Sequence, residues 1–387
     1  VAPMPPGPRA PGVSRVAPMG FAQRVLLSAA LTLALGFGFL DTVLPSDRFD
    51  FNRLHIFLFN LCCGGFVLLW FVRGGGRVGR HLYAWLGLSA AYAVTAFLGL
   101  YTVTLLLSLP LCALVERARV QRFGWLPLDL LRAGRTREKF LHTSLLCLSV
   151  GVLTCSVVII NNQWLHLWHV EKLALDIFFL FYSFPISLAT FAVLFTFMPE
   201  SGSLKYVALT ELTFWGITCG VVAFFVLILL EATLLEILVA NALFGIVLML
   251  LGLFRSHSRP SQPRTLLTSG LGFLVVTALT GVGEIVTYLF PGMELTGEQI
   301  LMLHATLSLY GWNLSGLIVM VRWGDFPILR RAAPLIWLHW LTVLVLVPLG
   351  KLDPAAALMA LPAFGLLVAL AMLSRVRTED QVPRAVG

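Results

Sequence analysis

Charge is what this chain has least of. Only 12% of its 387 residues are Asp, Glu, Lys or Arg, against 58% that are hydrophobic. Soluble domains carry about a quarter charged residues, so this balance excludes a chain surrounded by water and fits one solvated by lipid. Lysine is scarcer still, with four lysines beside 23 arginines. Paired cysteines are absent: Cys62, Cys63, Cys112, Cys147, Cys155 and Cys219 fall in apolar stretches and lack the spacing of a zinc site or a disulfide framework. They read as small core residues. Nucleotide fingerprints are absent too, since no G-x-G-x-x-G or phosphate loop occurs and Gly74-Gly75-Gly76 occupies a short turn. Internal repeats of the kind that build many transporters are not visible either.

What is present is a series of apolar runs. They lie near 25–44, 54–72, 82–98, 100–114, 140–160, 173–198, 206–230, 233–254, 267–290, 300–321, 332–350 and 355–374. A bilayer core takes about 20 residues of helix, so the runs predict an all-α, polytopic membrane bundle of about twelve transmembrane helices. Residues 82–114 hold no charged turn, yet a single helix of that length would run about 50 Å. A hairpin turning near Gly99 is predicted instead. With both termini cytoplasmic, 23 of the 27 basic residues fall on the inner side and only Arg48, Arg53, Lys172 and Lys351 on the outer. That asymmetry is the mark of cytoplasmic loops. It also explains the net charge of +8 without a nucleic-acid partner.

Residues 1–20 read as a disordered Pro/Ala-rich tail, 21–376 as one transmembrane bundle and 377–387 as a cytoplasmic tail. No cleavable signal peptide is evident, and the first span is expected to be retained. The basic stretch 115–139 suggests a short surface helix, with Trp125 and Leu126 at the lipid interface. The excess of Arg over Lys, with abundant Ala, Gly and Leu, points to a GC-rich bacterial genome and hence to the inner (plasma) membrane.

Four of the eight histidines share one depth. His55 opens the second span, His166 and His169 precede the sixth, and His304 opens the tenth, and each of those spans enters from the outer face. Neutral imidazole is a good axial ligand for haem iron, and bundles build cofactor sites from facing helices. The bland alternative is polar residues capping helix starts. His81 and His257 read as solvated loop residues, His142 as structural, and His339 as a hydrogen-bonded core residue. Glu236 and Glu284, in the outer halves of the eighth and ninth spans, are candidates for a proton relay or for structural pairing. Asn161, Asn162 and Gln163 make a polar lip before His166.

The local sequence adds a resemblance. Leu303-His304-Ala305-Thr306-Leu307-Ser308-Leu309-Tyr310-Gly311-Trp312-Asn313 resembles the tenth helix of haem-copper oxidase subunit I, nearest the nitric oxide reductase and cbb3-like branches. His166-Leu167-Trp168-His169-Val170-Glu171 is similar to the motif that opens that branch's sixth helix. Arg53-Leu54-His55 with Phe57-Leu58-Phe59-Asn60 is similar to the opening of its second helix. The resemblance implies a twelve-helix fold with b-type haem held by His55 and His304. It also implies other membrane subunits or a periplasmic cytochrome as partners.

The departures from that family are specific. Its second tenth-helix histidine is Thr306 here, and the seventh span has no histidine at all. Positions i and i+2 on a helix point about 200° apart, so His304 cannot serve both roles. Without the seventh-helix pair, no copper or non-haem iron is expected, and reduction of oxygen or nitric oxide by the family mechanism is disfavoured. Three arrangements stay open: a haem on His304 alone, one shared by His55 and His304, or none. The role implied is electron transfer, haem handling or scaffolding in a respiratory assembly. A secondary transporter or a purely structural subunit is the alternative.

Overall fold

The computed structural model describes residues 17–44, 49–167, 182–199, 203–290 and 292–375. Among them, twelve helices follow the twelve apolar runs in order. They are α1 (Phe21–Val43), α2 (Phe51–Val72), α3 (Arg80–Phe97), α4 (Tyr101–Phe123), α5 (Thr136–Leu165) and α6 (Phe184–Thr196). Then come α7 (Leu204–Leu229), α8 (Thr233–His257), α9 (Gln262–Thr287), α10 (294–321), α11 (Ala333–Leu352) and α12 (Pro354–Leu373). No sheet is formed by the described residues; the single β-bridge joins Ala17 to Gly75. Eight helices, α1, α2, α5, α7, α8, α9, α11 and α12, are long and apolar enough to cross a membrane. The chain is a multi-pass helical membrane protein. The proposed tails at 1–16 and 377–387 lie outside the described residues, as do His169 and Lys172.

The hairpin in 82–114 turns where the length argument placed it. Gly99 has φ +72°, a conformation that costs a residue with a Cβ about 1–2 kcal/mol. The Leu100 N–H reaches back to the Thr95 carbonyl at 2.8 Å, and the Thr104 hydroxyl donates to that of Thr95 at 3.0 Å. The stretch 115–139 forms no separate α-helix; its one short element is a 3-10 turn at Leu128–Leu131. Instead α4 continues past its apolar run to Phe123, because Arg119 finds Glu116 one turn away and the helix can carry the pair out of the apolar layer. Gly124, at φ +87°, then ends it. Trp125 and Leu126 follow at 79% and 67% exposure, where the interfacial reading put them.

α2 is the centre of the bundle: 94% of its apolar stretch is buried, against 17% for α7 at the edge. Its neighbours come close because it offers glycines. A Cβ on Gly64 would lie 2.6 Å from the Ile186 side chain of α6, and one on Gly65 2.6 Å from the Trp85 ring of α3. Small residues give helices in lipid this close approach, where dispersion replaces the hydrophobic drive. α10 meets α6 in the same way at Gly316, whose added Cβ would fall 1.9 Å from Thr190 Oγ1. Asn313 fastens that contact. Its amide donates to Ser183 Oγ at 2.9 Å, and its carbonyl accepts from Ser187 Oγ at 2.7 Å.

Among the described residues, wider, π-helical turns run over Phe57–Gly64 in α2, Asn161–Leu165 ending α5, Leu307–Asn313 in α10 and Thr342–Leu346 in α11, and Tyr182 and Ser183 lead in the same form into α6. Such turns place one extra residue in the helix and often mark functional positions. In α11 the cause is legible: Pro348 has no N–H to give the preceding turn. In α2 and α10 a carbonyl within the π-turn is taken up by a neighbour. Trp85 Nε1–H donates to the Leu61 carbonyl at 3.2 Å, and His339 Nε2–H to that of Tyr310 at 2.7 Å.

The end of the bundle that gathers the arginines is cross-linked by buried charge. Asp325 receives Arg24 of α1 at 2.6 Å and Arg322, just past α10, at 3.4 Å. Arg322 also donates to the carbonyls of Met372 and Ser374. Burial lowers the Arg322 pKa to about 10, with Asp325 opposing the shift, so it stays charged at neutral pH. Lys139 of α5, 1% exposed, reaches Glu211 of α7 at 2.6 Å.

Candidate functional site

The candidate histidines lie toward the end opposite the arginines. His55 sits in the second turn of α2 and is buried at 3% exposure. Its ring fills the notch left by Gly38 of α1, where an added Cβ would come within 3.2 Å of the imidazole. On another side it lies nearly parallel to the Tyr310 ring of α10, with centroids 6.4 Å apart. Tyr310 is held in turn by Phe59 of α2 and Phe364 of α12. The Tyr310 hydroxyl in this nest is buried without a hydrogen-bond partner among the described residues.

His304 is placed differently. It stands in the last turn before the π-turn of α10 and is half-buried against α9. Its Nδ1–H donates to the Thr277 carbonyl at 2.9 Å, which sets the tautomer and leaves the Nε2 lone pair unused. The ring lies over Gly281, where a Cβ would come within 3.1 Å. Gly281 thus makes room for the imidazole. Two residues on, Thr306 is buried and donates its hydroxyl to the Met302 carbonyl of its own helix, so its O–H is already engaged.

His55 and His304 are thus seated against different helices, α1 and α9, and no contact joins them. His166 is exposed at φ +50°, its N–H closing onto the Asn161 carbonyl at 2.7 Å as α5 ends. The polar lip is ordered as expected, with Asn161 Oδ1 also accepting from the Leu167 N–H at 3.0 Å. Of the carboxylates, Glu236 is buried in the first turn of α8, and Glu284 accepts from the Tyr288 hydroxyl of its own helix. These two acids lie on adjacent helices near the same end.

The arrangement was tested against the haem that the resemblance implies. An imidazole that ligates iron commonly donates its other N–H to a carbonyl, which orients the ring and raises its basicity. His304 meets that description through the Thr277 carbonyl. A small cleft of about 120 Å³ beside α2, lined by Arg53, Phe57, Tyr92 and Cys155 among others, touches neither histidine and holds a few waters at most. No group of three or more His, Cys, Asp or Glu able to hold a metal ion occurs among the described residues.

Set against protein-family models, curated proteins and solved structures, the chain matches none.

His142, read from the sequence as structural, holds a network at the arginine-rich end. His142, fully buried, donates from Nδ1 to Asp129 at 2.8 Å, accepts from Arg119 at Nε2 and stacks on Phe123 at 4.5 Å. This network clamps the 124–135 loop to α4 and α5. The one sequence signal for it was the position of a histidine at a span's charged margin.

Proposed function

We propose that this chain is an integral membrane subunit that carries one b-type haem on His304, in an electron-transfer, haem-handling or scaffolding role. In this reading it is a twelve-span protein of a bacterial inner membrane with both termini cytoplasmic, related in plan to oxidase subunit I but lacking the second-metal site. The observation that carries the reading is the His304 imidazole, oriented by the Thr277 carbonyl and set over Gly281 with Nε2 free. Bound there, the haem would supply one-electron redox chemistry. The protein's part is to hold Nε2 in place, keep the ring basic and keep water away with the surrounding apolar helices. His55 and Tyr310 are assigned to the packing beside that position, and His166 to the lip.

One observation favours a second reading, a structural subunit or secondary transporter without haem: neither cleft described in the molecule borders His55 or His304. The test is a reduced-minus-oxidised visible spectrum of the full chain purified from membranes, with His304→Ala and His55→Ala variants. A b-type signal lost in His304→Ala and kept in His55→Ala is expected. Loss in both variants would replace single ligation by a shared haem. A well-folded protein without any signal would leave the second reading.

A further inference from the structure

At the arginine-rich end, a cleft of about 530 Å³ opens between the end of α2, the start of α3 and the last turns of α4. Trp70 and Leu82 give it apolar walls, and Arg73, Arg77, His81 and Arg122 line the rest; no lining residue is acidic. The volume is that of a small-molecule site.

Elsewhere at this end, buried cations are answered from within the chain: Arg24 and Arg322 by Asp325, Arg119 by Glu116, Lys139 by Glu211. The cations lining the cleft differ in that Arg73 and Arg77 are exposed. Arg73 and Arg77 have no carboxylate within ion-pair distance among the described residues. Arg122 is held in the wall by donating to the Val72 carbonyl. His81, for whose ring Gly79 makes room, has Nε2 buried without a partner. Burial, then the Arg73 and Arg117 charges, push the His81 pKa below its ordinary value, and burial, then Arg117, lowers that of Arg73. Glu138 offsets part of the Arg122 charge, while no described carboxylate pairs with Arg73 or Arg77.

We propose that this cleft binds a phosphate-bearing anion, either the headgroup of an acidic phospholipid or free phosphate. Its place supports the assignment. It opens where the apolar run of α2 ends, with Trp70 just inside, at the level where lipid headgroups meet a helix end. Basic pockets between membrane helices are suited to such groups, and each arginine adds about 1 kcal/mol, or roughly fivefold, to the attraction. The proposal is independent of the haem reading.

The test titrates the detergent-purified full chain with dioctanoyl phosphatidylglycerol, dioctanoyl phosphatidylcholine and inorganic phosphate, counting bound molecules by native mass spectrometry. The double variant Arg73→Gln/Arg77→Gln changes two exposed, unpaired side chains and leaves the packing intact. It is expected to weaken phosphatidylglycerol binding about 25-fold, while Arg330→Gln/Arg331→Gln, outside the cleft, leaves it unchanged. If inorganic phosphate binds alone and displaces the lipid, the ligand is free phosphate; if it does not, the ligand is the headgroup. Equal binding of the two lipids, or a double variant that binds like the parent, overturns the proposal.

Discussion

Lys139 shows what one charge demands of this bundle. Its ammonium, 1% exposed, has both Glu211 oxygens within 2.9 Å and lies 5.3 Å above the Phe214 ring. Glu211 also accepts the Gly134 N–H at 3.0 Å, so the pair fastens α5, α7 and a loop at once. Removing one partner strands the other, and Lys139→Met is expected to lower stability by about 2–3 kcal/mol. Thermal unfolding in detergent should show the double variant Lys139→Met/Glu211→Leu losing less than either single change. A double variant no better than the singles would mean that the pair itself holds the helices. In the sequence Lys139 is legible as topology charge, but its pairing with Glu211 is not. They are 72 residues apart, and only the adjacency of α5 and α7 joins them. The same limit applied to the histidines. The level shared by His55 and His304 follows from span starts, but the direction of each ring depends on notches at Gly38 and Gly281 in other helices.

Among the elements, α10 is the most constrained. Its π-turn at Leu307–Asn313 lies between His304 and the close contact at Gly316. An extra residue in a turn rotates everything after it by about 100°, so faces inferred from a constant 3.6-residue period fail beyond such a point. The helices themselves were legible because apolar length and loop charge survive any rotation. Gly316→Ala sets a methyl where Thr190 already stands and is expected to cost about 1–3 kcal/mol by overpacking. Adding Thr190→Gly should recover part of that loss in the same unfolding measurement, whereas Gly220→Ala in peripheral α7 should cost less, because the Leu243 side chain it meets is flexible. Equal losses at the two glycines would mean that the α6–α10 contact is softer than its geometry.

For the whole molecule, the arrangement fixes which loops share a face. Arg132 and Arg331 lie at one end, Leu165 and Tyr288 at the other. Single-cysteine variants at these four positions, in right-side-out vesicles with the native cysteines replaced, should label as two pairs with a membrane-impermeant maleimide. Leu165→Cys and Tyr288→Cys are expected to react from outside, Arg132→Cys and Arg331→Cys only after permeabilisation. Mixed labelling would overturn the twelve-span topology. The ion pair that closes this bundle also has a history. Arg24 belongs to α1, and Asp325, its partner, is 301 residues further on. At roughly 5–20 residues per second, a ribosome takes about 15–60 s to cover that distance. For that interval α1 must keep its guanidinium at the headgroup layer, because the carboxylate that pairs with it among the described residues does not yet exist. A chain cut short before Asp325 therefore keeps on α1 a cation without that partner, a chemical label of an unfinished protein.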